Sequence, residues 1–243
     1  MRLTVAICSG LLVAASLVRV APATAQEIPV TDLSRFKLRN ARAEVVEHRG
    51  AKALKLSQEA PDRGEVIALI DKLRFRNGTI DMEVSGAPLA GAGAGARGFI
   101  GVVFRAQADG SRYESFYVRP TNGRAADQLR RNHATQYVSA PDWPWDRLRK
   151  ESPGVYESYA DMQPGEWLRM RVVVHGTDAS LYVGNADQPC LVVHDLKLGD
   201  SEGAVGLWIG PGTEGYFRNV RISDGTTTAR LSELDPVSQK TSP

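Results

Sequence analysis

The feature that most constrains this chain is a strict alternation of apolar and polar residues in short segments. In GTIDMEVSG, the apolar Ile80, Met82 and Val84 occupy every second position, and the acids Asp81 and Glu83 lie between them. A period of two places the two sets on opposite faces of a β-strand. The pattern recurs between turn residues in FIGVVFR, RYESFYVR and AVGLWIG, and no segment has a long helical period. The sequence therefore predicts an all-β fold, an antiparallel β-sandwich in a single domain.

The first 25 residues have the pattern of an export signal. Arg2 precedes a short apolar stretch, and Ala23-Thr24-Ala25 matches the small-x-small motif of a signal-peptidase site. The stretch is too short and too interrupted to span a membrane. We expect a signal peptide over residues 1–25, a β-sandwich domain over 26–224, a loose tail over 225–243, and a soluble periplasmic or extracellular product.

Charge and cysteine content narrow the classes of partner. The chain has 30 Lys+Arg and 28 Asp+Glu. Since Arg2 and Arg19 leave with the signal, the mature balance is 28 against 28, which gives no indication of nucleic acid. Cys190 would be the one cysteine left, so no intramolecular disulfide is predicted, and its apolar surroundings favour an unreactive thiol. The histidines lack metal-ligand spacing, so no metal site is predicted. The sequence does not determine the oligomeric state.

The succession of strand segments resembles that of a known superfamily. FRNGTIDMEVSG, GFIGVVFRA, YESFYVRP, GEWLRMRVVV, ASLYVG and GAVGLWIGPGTEGYFRNVRI follow one another as do the strands of concanavalin A-like jelly rolls. The nearest resemblance is to laminin-G-like domains and the 3-keto-disaccharide hydrolase domain, a distant relative of family 16 glycoside hydrolases. It implies binding of an oligo- or polysaccharide on a concave sheet. It implies no cofactor, although calcium is common on this fold.

The family 16 mechanism is not carried over to this chain. Those enzymes have Glu-x-Asp-x-Glu on one strand, whereas TIDMEV has Thr79 at the nucleophile position. A threonine hydroxyl cannot replace the carboxylate in double displacement. Asp81 and Glu83 are therefore interpreted as a solvated strand face.

Alternation also predicts a ligand-binding face. If the aliphatic residues form the core, the opposite face carries several arginines and aromatic rings. Aromatic rings cover the C–H side of a sugar, and guanidinium groups bond its hydroxyls. The alternative is an ordinary solvated face with arginine stacked on tyrosine. The predicted substrate-binding residues on this face are Arg105, Tyr113, Tyr117, Arg119 and Trp208.

The stretch QLRRNHATQY is the candidate for chemistry. If it is extended, Arg131, His133 and Tyr137 lie on one side. His133 would transfer a proton, Tyr137 would act as acid or base, and Arg131 would neutralise a carboxylate or oxyanion. Glu157, between two tyrosines, is the predicted carboxylate partner of His133. The alternative is a structured loop around its own tryptophans. Further predicted binding residues nearby are Asn132, Gln136, Trp143, Trp145 and Tyr159.

Three functions follow from these residues. The first is a glycoside hydrolase-like enzyme acting on a glycan or modified sugar. The second is a non-catalytic, lectin-like glycan-binding module, in which the aromatic residues matter and His133 and Glu157 do not. The third is a polysaccharide lyase, whose unsaturated product would absorb in the ultraviolet.

Overall fold

Two antiparallel sheets of eight and seven strands form the body of the protein. The structure is a computed structural model that describes residues 25–59 and 65–225. The predicted signal peptide and tail lie outside the described residues, apart from Ala25 and Gly225 at their boundaries. In the described part of the chain, no helix is long and apolar enough to cross a membrane. The predicted all-β sandwich is confirmed.

The elements are numbered in chain order. The strands are β1 (Gln26–Ile28), β2 (Phe36–Arg39), β3 (Ala41–His48), β4 (Ala51–Gln58), β5 (Val66–Ile70), β6 (Gly78–Pro88), β7 (Ile100–Ala106), β8 (Tyr113–Val118), β9 (Thr135–Ala140), β10 (Glu157–Ser158), β11 (Leu168–His175), β12 (Asp178–Val183), β13 (Leu191–Val193), β14 (Ala204–Ile209) and β15 (Thr213–Asp224). The helices are α1 (Gln128–Asn132) and α2 (Trp145–Glu151), with 3-10 turns at Leu33–Arg35 and Pro120–Asn122.

The two sheets differ in strand order, and the central strands of the second sheet are buried on both faces. The eight-stranded sheet runs β13-β12-β11-β6-β15-β4-β3, with β1 also paired to β15. The seven-stranded sheet runs β10-β9-β8-β7-β14-β5-β2. Strands β7 and β8 contain no exposed residue. Since one face of these strands packs on the core, the burial of the other face shows that loops cover it.

The core lies between the sheets and follows the predicted alternation. Ile80, Met82 and Val84 of β6 are 0–1% exposed. From the other sheet, the rings of Phe104 and Phe116 stack with centroids 6.1 Å apart. The outward residues of β6 are acids in ion pairs, such as Asp81 with Arg169 at 2.5 Å and Glu83 with Arg218 at 2.7 Å. The interpretation of these acids as a solvated strand face is consistent with their partly exposed side chains.

The alternation fails at one position, Arg105. Between β7 and β14 the register changes from Gly206 opposite Val103 to Ala204 opposite Ala106, so β7 contains one extra residue. Arg105 takes the left-handed conformation there, with φ 50°. Its side chain is 0% exposed and donates to carbonyl oxygens at Arg76 (2.8 Å), Gly176 (2.7 Å) and Gly199. The prediction that Arg105 shares the binding face is therefore wrong, because the bulge turns it toward the opposite sheet.

Cys190 is the cysteine in the described part of the chain, and its thiol is half-buried. Burial raises its pKa to about 11. The protonated thiol is a poor nucleophile, which agrees with the unreactive side chain predicted from the apolar sequence around it.

Candidate functional site

A groove of about 1250 Å³ lies on the outer face of the seven-stranded sheet. Its floor consists of side chains of β8, β9 and β14 that point away from the core. One wall is the glycine-rich connection before β7, which includes Arg97 and Phe99. The remaining walls come from the segment around α1 and from the start of α2, and they contribute Arg130, His133 and Trp145. A smaller pocket beside β11 and β12 has about 90 Å³, room for only a few water molecules.

The groove floor is a continuous set of aromatic rings built over a glycine. Gly101 of β7 lies between Tyr117 of β8 and Trp208 of β14 in the hydrogen-bonded register. Because Gly101 has no side chain, the two flanking rings meet above it, with centroids 4.8 Å apart. Phe99 extends the set, at 6.1 Å from Tyr117. A Cβ at position 101 would lie 2.7 Å from the Tyr117 Cβ, closer than packed atoms approach.

Two polar groups of the floor lack partners. The Tyr113 hydroxyl and the Trp208 indole N–H are buried and make no hydrogen bond to the described residues. The residues are only 1% and 5% exposed. Buried polar groups in proteins are nearly always paired. The Trp208 N–H is near enough to the Glu65 carboxylate to lower the pKa of that acid, which leaves the Tyr113 hydroxyl as the more isolated of the two groups.

Arg119 connects the floor to one wall. It is 5% exposed and donates to the Tyr117 hydroxyl at 3.0 Å, the Gln136 side-chain oxygen at 3.0 Å and the His133 carbonyl at 3.1 Å. Burial raises the pKa of Tyr117 to about 12. Tyr117 is therefore neutral near pH 7 and accepts a hydrogen bond from the Arg119 guanidinium. This bond fixes the position of the Tyr117 ring in the groove floor.

Glu157 forms ion pairs with Arg149 and Arg119. Its carboxylate is 2% exposed and accepts from Arg149 Nε at 2.8 Å and Nη2 at 2.5 Å. Arg119 Nη1 lies 3.6 Å away, and His133 Nε2 lies 3.8 Å away. The structure thus brings His133 and Glu157 together as neighbours, but beyond hydrogen-bond distance. The bidentate pair with Arg149 occupies the carboxylate that a proton transfer would use.

His133 is the titratable wall residue with some access to the groove. Its side chain is 20% exposed. Burial lowers its pKa from the ordinary value of 6.5, and the nearby Arg149 and Arg119 act in the same direction, while Glu157 opposes them. The imidazole is therefore neutral near pH 7 and able to accept a proton.

Tyr137 and Arg131 do not share a side with His133. Asp127 caps a short helix through its Oδ1, which accepts from the Arg130 N–H at 2.6 Å. The stretch is therefore helical up to Asn132 rather than extended, and the predicted alternation does not hold. Arg131 turns to Tyr159 at 3.1 Å. Tyr137 faces the core, is 0% exposed and donates to Glu114. The predicted joint placement of these catalytic residues is wrong.

The other predicted binding residues divide into two groups. Tyr113, Tyr117, Arg119, Trp145 and Trp208 line the groove. Gln136 is buried beneath Arg119, and exposed Asn132 bonds Gln128 at 2.8 Å. Trp143 lies outside the groove lining, with Arg147 3.7 Å and Lys197 4.6 Å from its ring. Tyr159 stacks with Arg131 at 4.9 Å.

Several groove residues were not predicted from the sequence. Glu65 precedes β5 and lies beside Trp208; burial raises its pKa, and Arg39 opposes that effect. Glu65 lies two residues before Ile67, which pairs with Trp208. Since residues two apart on a strand share a face, alternation could have placed Glu65 beside Trp208. The others lie at the end of β2, in the connection before β7 or in the short helices α1 and α2, where the sequence has no period that shows which way a side chain points: Arg39, Arg97, Phe99, Arg130 and Arg149. Among residues 25–59 and 65–225, no group of three His, Cys, Asp or Glu side chains is placed to hold a metal ion.

Comparison with known proteins identifies the fold. No family model and no curated protein matches the chain. The chain is similar to the carbohydrate-binding module CBM66 from Bacillus subtilis, with 13% identity, a TM-score of 0.55, and coverage of 78% of this chain and 96% of that one. It is also similar to a candidate glycosyl hydrolase from Parabacteroides distasonis, with 12% identity, a TM-score of 0.54, and coverage of 82% and 99%. A Bacillus subtilis protein of unknown function with a galectin-like fold has 12% identity, a TM-score of 0.51, and coverage of 82% and 94%. The chain therefore has the concanavalin A-like β-sandwich fold.

Proposed function

We propose that this protein binds a carbohydrate in the groove of the seven-stranded sheet. The observation that carries the proposal is the floor, where the contiguous rings of Phe99, Tyr117 and Trp208 lie beside arginines. Flat rings cover the C–H face of a sugar, and guanidinium groups and free N–H or O–H groups bond its hydroxyls. The volume of about 1250 Å³ exceeds that of most small-molecule pockets, which favours an oligosaccharide. The carbohydrate-binding module of the same fold supports this class of ligand.

Binding without hydrolysis is the function that the geometry supports best. Glycosidases place two carboxyl groups on either side of the scissile bond. Among the residues that the structure describes, the acids near the groove do not form such a pair. Glu157 is neutralised by Arg149, Asp127 caps α1, and Glu65 is half-buried beside Trp208.

Proton abstraction by His133 is the second candidate function. The observation that favours it is a neutral, partly exposed imidazole on the wall, next to the buried Arg119 guanidinium. In a lyase, such a base removes the proton beside a carboxylate whose charge the arginine offsets. Both groups line the groove.

The proposal is tested by binding a panel of oligosaccharides by calorimetry to the native protein and two variants. Trp145 is 45% exposed on the groove wall, with Arg149 4.7 Å from its ring. Trp145→Ala should weaken binding roughly 10-fold without lowering the melting temperature. Tyr182→Ala is the matched control, because its ring also stacks with an arginine, Arg171 at 4.1 Å, but on the opposite sheet. Equal affinities of both variants and the native protein would contradict the groove as the binding site.

Product formation separates the two candidates. The same saccharides are incubated with native protein and His133→Ala, and both ultraviolet absorbance and released ends are measured. Binding with no product from the native protein would identify a lectin-like module. Turnover that the histidine variant loses by about 10²–10⁴-fold, with binding retained, would establish an enzyme.

A further inference from the structure

The groove has a local excess of positive charge. It is lined by the five arginines Arg39, Arg97, Arg119, Arg130 and Arg149, against the two acids Glu65 and Asp127. The whole chain is nearly balanced, with 30 basic and 28 acidic residues. The excess is therefore a property of this surface and not of the composition. Arg149 is already paired with Glu157, so the unpaired charge must be located among the others.

Arg97 and Arg130 hold the unpaired charge at one end of the groove. Arg97 Nη1 donates only to the carbonyls of Ala94 and Ala96, at 2.6 and 2.9 Å. Arg130 donates to the side-chain oxygens of Asn122 at 3.0 Å and Thr121 at 3.3 Å. Within the described part of the chain, neither guanidinium has a carboxylate partner within 4.0 Å. An arginine has five N–H groups, so each of the two retains three for a ligand.

Thr121 connects the backbone of Arg97 to the side chain of Arg130. Its N–H donates to the Arg97 carbonyl at 3.3 Å, and its hydroxyl accepts from Arg130. The two charges are close enough that Arg130, together with burial, lowers the pKa of Arg97. Like charges repel, so this arrangement is stabilised by a bound anion. Arg97 lies two residues before Phe99, so the pair is adjacent to the end of the aromatic platform.

We propose that the carbohydrate of the groove is anionic and carries a carboxylate or sulfate group that binds between Arg97 and Arg130. This inference rests on the proposed carbohydrate-binding function and names its ligand class. A sugar ring stacks on the platform of Phe99, Tyr117 and Trp208. Its charged substituent accepts the N–H groups that the two arginines leave free.

A matched pair of ligands tests the charge directly. Oligogalacturonides carry one carboxylate per residue, and their methyl esters have the same sugar backbone without the charge. A sulfated oligosaccharide and a neutral glucan complete the panel and distinguish the two sources of negative charge. We expect the native protein to bind the carboxylated or the sulfated ligand at least ~10-fold more tightly than the neutral ones, with an affinity that falls as salt rises.

Variants then locate the anion. Arg97→Gln and Arg130→Gln should each weaken binding of the anionic ligand by about 10-fold, and weaken binding of the methyl ester or glucan much less, because the neutral ligands lose at most a hydrogen bond and no charge pairing. Arg124→Gln removes the same charge from a nearby exposed residue that pairs with Asp161 at 2.7 Å, and should have little effect. Arg97→Lys and Arg130→Lys, which keep the charge but lose the planar fork, should give intermediate affinities. The melting temperature of every variant is measured, so that a loss of fold is recognised.

The outcomes separate this inference from the proposed function. Binding of the methyl ester or glucan as tightly as of the anionic ligands would overturn the anionic ligand class and leave carbohydrate binding intact. Anion-selective binding that neither glutamine variant changes would overturn the site between Arg97 and Arg130. No binding to any saccharide, by folded protein, would overturn the proposed function as well.

Discussion

At the scale of single residues, Glu157 shows how surroundings decide what a carboxylate does. It is buried with two guanidiniums and an imidazole within 4 Å. A buried carboxylate in bidentate contact with an arginine has both of its oxygens engaged and its orientation fixed. Its role in this structure is to position Arg119 and Arg149, which both line the groove. The role of Glu157 as the carboxylate partner of His133 stays a prediction.

Glu157→Gln should therefore lower stability more than a surface change. Removing one partner of a buried ion pair leaves Arg119 uncompensated and costs about 3–5 kcal/mol of unfolding free energy. The control is Asp161→Asn, since Asp161 and its partner Arg124 are 55% and 57% exposed. Such an exposed pair contributes about 0–1 kcal/mol. Denaturant unfolding measures both, and an equal loss in the two variants would contradict the structural role of Glu157.

His133 should titrate below the ordinary histidine value of 6.5. Burial disfavours the charged ring, and Arg149 and Arg119 add to this, whereas Glu157 opposes. Since the unfolded chain then binds a proton more readily than the folded one, His133 costs stability as pH falls below 6.5 toward its lowered pKa. NMR titration measures the ring directly. A pKa at or above 6.5 would show that Glu157 outweighs burial.

At the scale of elements, alternation predicted the faces of strands but not the conformation of loops. It correctly placed Ile80 in the core and Tyr117 on the outer face of its sheet, because side chains of a regular strand can point only to one face of the sheet or to the other. It failed at Arg105, where a bulge with no glycine to mark it adds a residue. It also failed from Gln128 to Asn132, because one helical turn is too short to show a 3.6-residue period. The signal for that turn was the capping Asp127.

Alternation likewise predicted the groove residues that lie on strands but not those that lie elsewhere. The floor residues Tyr113, Tyr117 and Trp208 followed from alternation, and the structure places them in the groove. Their role in binding stays a prediction. Arg97 and Arg130 were missed because Arg97 lies in a loop and Arg130 in a helix of a single turn, where the position of a side chain depends on turns, caps and tertiary hydrogen bonds.

Substitution of Gly101 tests whether the Tyr117 and Trp208 rings must be in contact above β7. An added Cβ would contact the Tyr117 Cβ at 2.7 Å, so Gly101→Ala should cost about 1–3 kcal/mol and separate the Tyr117 and Trp208 rings. Weaker saccharide binding should accompany the loss. Gly93→Ala is the control for stability alone, since a Cβ there would meet no atom within 4 Å, whereas Gly93 itself lines the groove. Melting temperature and affinity are measured together. A stable Gly101→Ala protein with native affinity would show that the rings need not touch.

At the scale of the whole molecule, the predicted removal of the signal peptide decides the net charge of the mature chain. We expect cleavage near Ala25, which would leave a mature chain with 28 basic and 28 acidic residues. Strand β1 starts at Gln26, immediately after that position, and pairs with β15. The mature chain would thus begin with a residue of the sheet.

N-terminal sequencing of the protein recovered from outside the cytoplasm checks this expectation. The sequence should begin at or near Gln26. Recovery of chains that still start at Met1 would contradict it, and a variant with Ala23 and Ala25 changed to bulky residues should accumulate uncleaved precursor.

The bonds of Arg105 have a consequence for how this fold can vary. One guanidinium joins the approach to β6, the turn between β11 and β12, and the loop before β14. It lies at the end of β7 remote from the connection that carries Arg97 and Phe99, since that connection enters β7 at Ile100. The sheets are therefore clamped at the end of β7 opposite the wall that carries Arg97 and Phe99. Insertions and substitutions in that wall would leave this clamp in place, so the shape of the groove and the joining of the two sheets can evolve separately.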